Sequence, residues 1–347
     1  MTKIQSYAVQ DAESTLGPWN FERRTPGPKD IQIEILYCGV CHSDIHQVRN
    51  EWGNSIYPMV PGHEIVGRIS KVGSSVKKFK VGDLAGVGCL VDSCRTCENC
   101  KEGLEQYCLN GSSPTYNGLG QDKKTPTYGG YSKMIVADED FVLRISDKLP
   151  LQNVAPLLCA GITTYSPLKH WNVGKGHKLA VLGLGGLGHM AVKFGVSFGA
   201  EVTMLSSSPS KKEDAQKLGA HKFVLTKDAE QLKSVQGYFD FIIDTVSAPH
   251  DYNEYLGLLK TNGVHICVGA PPTPAQIHAF TLIMGRKSIA GSLIGGLPET
   301  QEMLDYCAQH QIVSDVEVIR MQDIHNAYDR MLRGDVKYRF VIDLASL

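Results

Sequence analysis

Residues 178–200, KLAVLGLGGLGHMAVKFGVSFGA, constrain the fold more than any other stretch of this chain. A short apolar run, Leu179–Leu182, passes into Gly183, Leu184, Gly185, Gly186, Leu187 and Gly188, and a helical pattern follows from about Leu187. A G-x-G-x-x-G turn between strand and helix meets three needs. It allows a tight reversal, lets the backbone approach a diphosphate closely, and aims a helix N-terminus at the negative charge. Glycines alone are weak evidence; the strand before and the helix after them give the motif its context. The stretch predicts a dinucleotide site on a parallel sheet. Further apolar runs support that sheet: Glu201–Ser208, Phe223–Thr226, Phe239–Val246, Gly263–Ala270 and Ser288–Gly296. Continuous apolar strands are expected where both sheet faces are covered.

The end of the second run bears on which dinucleotide binds. A carboxylate about 20 residues past the glycines holds ribose hydroxyls in NAD sites and repels a 2′-phosphate. This chain has Ser206, Ser207 and Ser208 there, then Lys211 and Lys212. Hydroxyls and a lysine accept a phosphate, so the expected cofactor is NADP(H). The plain alternative is a solvated polar turn.

Before Gly174 the pattern is different. Ile31–Tyr37 alternates and Glu64–Gly73 is β-branched, which reads as a β-rich region. Within it, Cys94, Cys97, Cys100 and Cys108 lie inside fifteen residues. Four thiolates so spaced can close a tetrahedral cage around zinc, with an iron–sulfur cluster or free thiols as alternatives. Cys38–Glu64 gathers Cys41, Ser43, Asp44, His46, His63 and Glu64. A catalytic zinc takes three protein ligands and keeps one open position. Cys41 and His63 are two candidates, and Cys159 in PLLCAGITTY is the best remaining third. Ser43 also reads as a helix N-cap. Asn110–Tyr128 reads as a surface loop and Ser146–Trp171 as helical. Cys38, Cys89, Cys267 and Cys307 are expected in the core. The last segment, from Pro298, should hold two helices and a closing strand.

A net charge of −1 gives no footprint for nucleic acid, and no apolar run approaches the roughly 18 residues of a membrane span. The start of the chain has no apolar leader pattern, so a cytoplasmic protein is expected, with its ten cysteines as metal ligands and free thiols.

Taken together, CGVCHSDIH, PGHEIVGRI, the four-cysteine lobe, LLCAGITTYSPL, GLGGLGH, the triple serine and GSLIGG resemble the zinc-dependent medium-chain alcohol dehydrogenases, within them the cinnamyl alcohol dehydrogenase branch. The resemblance covers essentially the whole chain. It implies an α/β architecture: a GroES-like β-rich catalytic domain (1–155 and 293–347) interrupted by a Rossmann doubly wound parallel sheet (156–292). It implies catalytic zinc on Cys41, His63 and Cys159 with Glu64 nearby, and structural zinc on Cys94, Cys97, Cys100 and Cys108. Ser43 and His46 match the proton relay, and Asp44 the carboxylate that orients the ligand histidine. Cofactor contacts fall on Ser43, Thr163, Gly183–Gly188, Ser206–Ser208, Lys211, Thr245, Gly269, Ser292, Leu293, Ile294 and Lys337. The expected activity is NADP(H)-dependent interconversion of a small-molecule alcohol and aldehyde by a homodimer. A polyol dehydrogenase and a zinc-free quinone-type reductase are the alternatives. Trp52, Tyr57, Leu90 and Ile294 are candidates for the substrate pocket.

Overall fold

Alternation along Asp30–Val40 sends Ile31, Ile33 and Ile35 into the interior and makes this strand the centre of the β-rich region. It pairs antiparallel with Ile65–Val72, Met134–Asp138 and Arg339–Asp343, within a seven-stranded sheet that also holds Leu84–Val87, Leu143–Arg144 and Val316–Arg320. Ile31, Ile33, Ile65, Ile135, Phe340 and Ile342 form the core of this sheet. The computed structural model describes residues 1–347 and divides into two units, Met1–Ile162 with Gly295–Leu347, and Thr163–Ile294.

The second unit is a six-stranded parallel sheet in the order Lys222–Leu225, Glu201–Ser206, Lys178–Leu182, Phe239–Asp244, Leu259–Cys267, Ser288–Gly291. The first strand of this unit, Lys178–Leu182, therefore sits mid-sheet, and the chain winds outward from it in both directions. In such sheets ligands bind outside the carboxyl ends of the strands, where the order reverses. Gly183–Gly188 lies at that point.

Several elements differ from the sequence expectation. Ser146–Trp171 is not one helix: Leu151–Val154 and a 3-10 turn at Ala155–Leu158 precede Ala160–His170. Pro156 lacks the N–H a continuing helix needs, and Cys159, at φ −130°, stands at the break. The second Rossmann-type strand stops at Ser206, so Ser207 and Ser208 lie in the turn beyond it. Asn110–Tyr128 is more than a surface loop. It contains short strands, and Ser113, Thr115 and Tyr116 are buried. The C-terminal segment carries an extra strand, Val316–Arg320, beside the closing one. No helix is long and apolar enough to cross a membrane.

Candidate active site and metal centres

Cys41 stands at the N-terminus of a helix, His42–Val48, that follows the central strand. It is this helix's N-cap, which corrects the alternative reading of Ser43. Asp44 closes the cap by accepting from the Cys41 N–H at 2.9 Å, while Ser43 Oγ donates to Cys41 Sγ at 2.9 Å. Asp44 is fully buried and also accepts from the Gly62 N–H at 3.2 Å and the Tyr131 hydroxyl at 3.3 Å. It also contacts His63 Nδ1, at 3.3 Å. A carboxylate on Nδ1 fixes the ring and leaves Nε2 as its free donor atom. Tyr116 stacks on the same imidazole with ring centroids 5.6 Å apart.

The fold brings Cys41, His63, Glu64 and Cys159 together, with one ligand atom from each within 4.8 Å of the others. The sulfurs of Cys41 and Cys159 are 4.0 Å apart. Two thiolates at zinc–sulfur distance on a tetrahedron would stand about 3.8 Å apart, so the residues fit a zinc ion. The Cys159 thiol, facing Cys41 Sγ, holds Cys41 well below the ordinary thiol range. Glu64 Oε2 is buried without a partner, an orphan acceptor beside the ligand set. Burial pushes the Glu64 carboxyl up to about 8, with Arg339 opposing.

Arg339 is a member of this site that the sequence reading missed. It is 5% exposed, and its Nη2 donates to Glu64 Oε1 and, at 2.9 Å, to the Val40 carbonyl. A second omission is Glu51, whose carboxylate pairs with His46 Nδ1. The His46 ring lies 5.0 Å from the half-exposed Trp52. Cys89 is not a plain core residue: it is half-buried, donates to the Leu158 carbonyl at 3.7 Å, and its thiol is held down by the neighbouring Cys159 thiol. Cys38 and Cys307 are buried as expected, and burial pushes the Cys38 thiol up, away from any redox use.

Cys94, Cys97, Cys100 and Cys108 form the second cluster. The Cys94 and Cys100 sulfurs stand 3.9 Å apart, and N–H groups of Cys97 and Cys94 point at Cys94 and Cys108 sulfur, each at 3.4 Å. Backbone N–H groups of Thr96 and Cys97 pull the Cys94 thiol down to about 5. A thiolate cradled by N–H groups is a ready cation ligand. The four residues satisfy the sulfur spacing of a zinc cage.

In the second unit, Gly183 adopts φ +90°, which only glycine takes freely. A Cβ at Gly188 would strike the Gly183 carbonyl, whereas one at Gly185 would meet nothing within 4 Å. The first and last glycines are thus needed by the turn itself, and Gly185 leaves open space for a ligand. Thr245 Oγ1 donates to the Leu182 carbonyl at 2.8 Å, tying two strand ends together. Gly269 packs against Val246 backbone, and its N–H bonds the Asp244 carbonyl at 2.9 Å. Ser206 closes the second strand, 7% exposed, and its Oγ accepts from the Ser208 N–H at 3.2 Å. Lys211 ends the short turn that follows. Thr163 is buried in Ala160–His170; Ser292 N–H bonds the Cys267 carbonyl at 3.2 Å, Leu293 is exposed, and Ile294 has φ +38°. Ser43 and Lys337 belong to the first unit.

Two family models match the chain: "Alcohol dehydrogenase GroES-like domain" over residues 27–147 and "Zinc-binding dehydrogenase" over 186–309. The chain is 54% identical over its full length to an NADP-dependent alcohol dehydrogenase C 1 of Mycolicibacterium smegmatis, covering 99% of it. It is 52% identical, over 99% of its length, to a protein of Mesembryanthemum crystallinum named "Probable mannitol dehydrogenase", covering 95% of that relative. A solved cinnamyl alcohol dehydrogenase structure from Sorghum bicolor superposes with a TM-score of 0.97 at 46% identity, over 99% of this chain and 98% of that one.

Proposed function

The chain belongs to the zinc-dependent medium-chain alcohol dehydrogenases, in the cinnamyl alcohol dehydrogenase-like branch, and from that premise we propose that it interconverts primary alcohols and aldehydes with NADP(H). The substrates we assign are aromatic or medium-length aliphatic aldehydes. The observation that carries the reading is the thiol–imidazole–thiol set of Cys41, His63 and Cys159 at tetrahedral spacing, with Glu64 beside it.

These residues would hold the catalytic zinc, whose chemistry when bound is to polarise the substrate oxygen, while the nicotinamide supplies or takes the hydride. The protein's own part is orientation and proton movement. Asp44 holds the His63 ring, and the backbone N–H groups of Cys41 and Gly62 hold Asp44. Ser43 Oγ, 2.9 Å from Cys41 Sγ, contacts the ligand set directly and serves as first proton carrier. His46, with 25% of its side chain exposed, is the outlet. Glu51 takes the Nδ1 side of that ring, which leaves Nε2 to accept the proton and fixes the tautomer. Cys94, Cys97, Cys100 and Cys108 would bind the structural zinc and hold a lobe with little core of its own.

Gly183–Gly188 receives the diphosphate, with Ser206–Ser208 and Lys211 around the 2′-phosphate. Thr163, Thr245, Gly269, Ser292, Leu293 and Ile294 complete the cofactor contacts of the second unit. We assign a cytoplasmic homodimer paired through the second unit. Phe280, Ile283 and Met284, each more than 60% exposed, fall on the segment just ahead of the edge strand Ser288–Gly291, and such edges are normally covered.

Initial rates of aldehyde reduction by zinc-replete protein, NADPH against NADH, test the reading. A strong NADPH preference is expected, and Ser206→Asp should reverse it, because a carboxylate there repels the 2′-phosphate and accepts ribose hydroxyls. The KM for NADPH should rise by roughly 10–100-fold, the 1.4–2.8 kcal/mol of a lost charge-assisted contact. NADH preference in the unmodified protein would sink the cofactor assignment. The name of the plant relative supports a polyol substrate as second reading, and faster mannitol than benzyl-type alcohol oxidation would favour it.

A further inference from the structure

Asp244 and Cys267 are paired across neighbouring parallel strands, and His265 lies two residues before Cys267, so all three side chains share one face of the six-stranded sheet. The rest of that face is apolar, built from Leu182, Ile242, Leu256 and Leu259. Asp244 is 1% exposed and His265 fully buried. Placing a carboxylate, an imidazole and a thiol in such a core is costly unless their polar atoms are satisfied. They are satisfied only in part. Asp244 Oδ2 accepts from His265 Nε2 at 3.1 Å and from His250 Nε2 at 2.9 Å. His265 Nδ1, buried as well, has no partner. One donor atom from each of Asp244, His265 and Cys267 lies within 4.8 Å of the other two.

Access comes from the loop ahead of the helix Tyr252–Leu258. His250, on that loop, lines a surface cavity of about 590 Å³ together with Asp251, Tyr252 and Pro271. Its ring therefore stands between solvent and the buried carboxylate.

We propose that Asp244, His265 and Cys267 form a third metal site, for a borderline divalent cation such as Zn²⁺, with His250 as fourth ligand and gate. Mixed nitrogen, oxygen and sulfur donors suit zinc or cobalt and not magnesium or calcium, which take oxygen. The buried Asp244 carboxylate with a thiolate at the half-buried Cys267 carries two negative charges, which a divalent cation neutralises. On binding, the Cys267 sulfur forms a bond to the cation and its proton leaves to solvent. The cation would join the ends of Phe239–Asp244 and Leu259–Cys267. None of the four residues is among the catalytic ligands or cofactor contacts assigned above, and this site stands or falls separately from them.

The test equilibrates purified full-length protein, already holding its catalytic and structural zincs, with Zn²⁺ buffered by a weak chelator. Three zincs per chain are expected, with a melting temperature that rises with free Zn²⁺. Cys267→Ser and His265→Gln should each hold two zincs and lose the zinc-dependent part of that rise, with NADPH-dependent aldehyde reduction unchanged. Co²⁺ added to the two-zinc protein should give a sulfur-to-cobalt absorption band with no zinc released. That band should be absent in Cys267→Ser, and it decides the matter in the unmodified protein if a variant fails to fold. Two zincs with no response to added Zn²⁺ or Co²⁺ would overturn the proposal. So would a third zinc that survives both substitutions. Fewer than two zincs before equilibration would strike instead at the metal centres assigned above.

Discussion

Arg339→Met is expected to destabilise the protein by about 3 kcal/mol, the lower end of the range for breaking a buried ion pair. Arg339 Nη2 serves two acceptors, Glu64 Oε1 and the Val40 carbonyl, and both sit in the interior beside the proposed metal ligands. Methionine fills similar volume but donates nothing, so a buried carboxyl and a buried carbonyl both lose their donor. The cost stays near the lower end because burial favours the neutral form of Glu64, so that once Arg339 is gone the carboxyl can shed its charge by taking a proton. Arg339→Lys should recover only part of the loss, since an ammonium is a compact point charge and not a fork. The decisive measurement is a cycle with Glu64→Gln, by denaturant midpoint on zinc-replete protein. The double variant should be more stable than the two single losses predict. Additivity to within about 0.5 kcal/mol would show that the pair is not coupled.

This pair also shows where sequence reading stops. The glycine turn was legible because its demands are local: a strand, a reversal and a helix within residues 178–200. The four-cysteine lobe was legible for the same reason, its ligands lying within fifteen residues. Cys159, 118 residues from Cys41, was legible only as the best remaining third donor, and the family resemblance then gave it a role. Arg339 and Glu64 are 275 residues apart, a partnership set by the pairing of Arg339–Asp343 with Asp30–Val40. One clue was present, since a charged residue opening an apolar run, RFVID, signals a buried partner. Tyr116 was lost by a related error. A polar, glycine-rich stretch reads as surface, yet the four-cysteine lobe folds it so that one ring reaches His63. Cys89 and Cys267 read as core and His265 gives no signal, because burial is the default for such residues in apolar strands. Nothing in the strand period tells which buried thiol faces another donor.

Cys159→Ala should abolish turnover, lowering kcat/KM at least about a thousandfold, the equivalent of roughly 4 kcal/mol of transition-state stabilisation from a Lewis acid. The argument rests on ligand count. Cys41, His63 and Cys159 make three, the number that leaves one position for substrate, and removing one leaves a site too weak to hold the ion. Glu64 is the only other donor in the cluster, and Arg339 holds one of its oxygens. The loss should therefore appear as one zinc fewer per chain. NADPH binding, followed by the cofactor's fluorescence, should persist because the glycine turn is built within the other unit. Asp44→Asn provides the graded comparison. Its carboxylate accepts from two backbone N–H groups and a tyrosine hydroxyl, and an amide replaces one acceptor by a donor that faces those donors. A loss of roughly 10–100-fold in activity or zinc affinity is expected for removing a ligand's orienting carboxylate. If Cys159→Ala keeps both its zinc content and its activity, Cys159 is no ligand. The Cys89 thiol, beside Cys159 and bonded to the Leu158 carbonyl, then becomes the third donor to test.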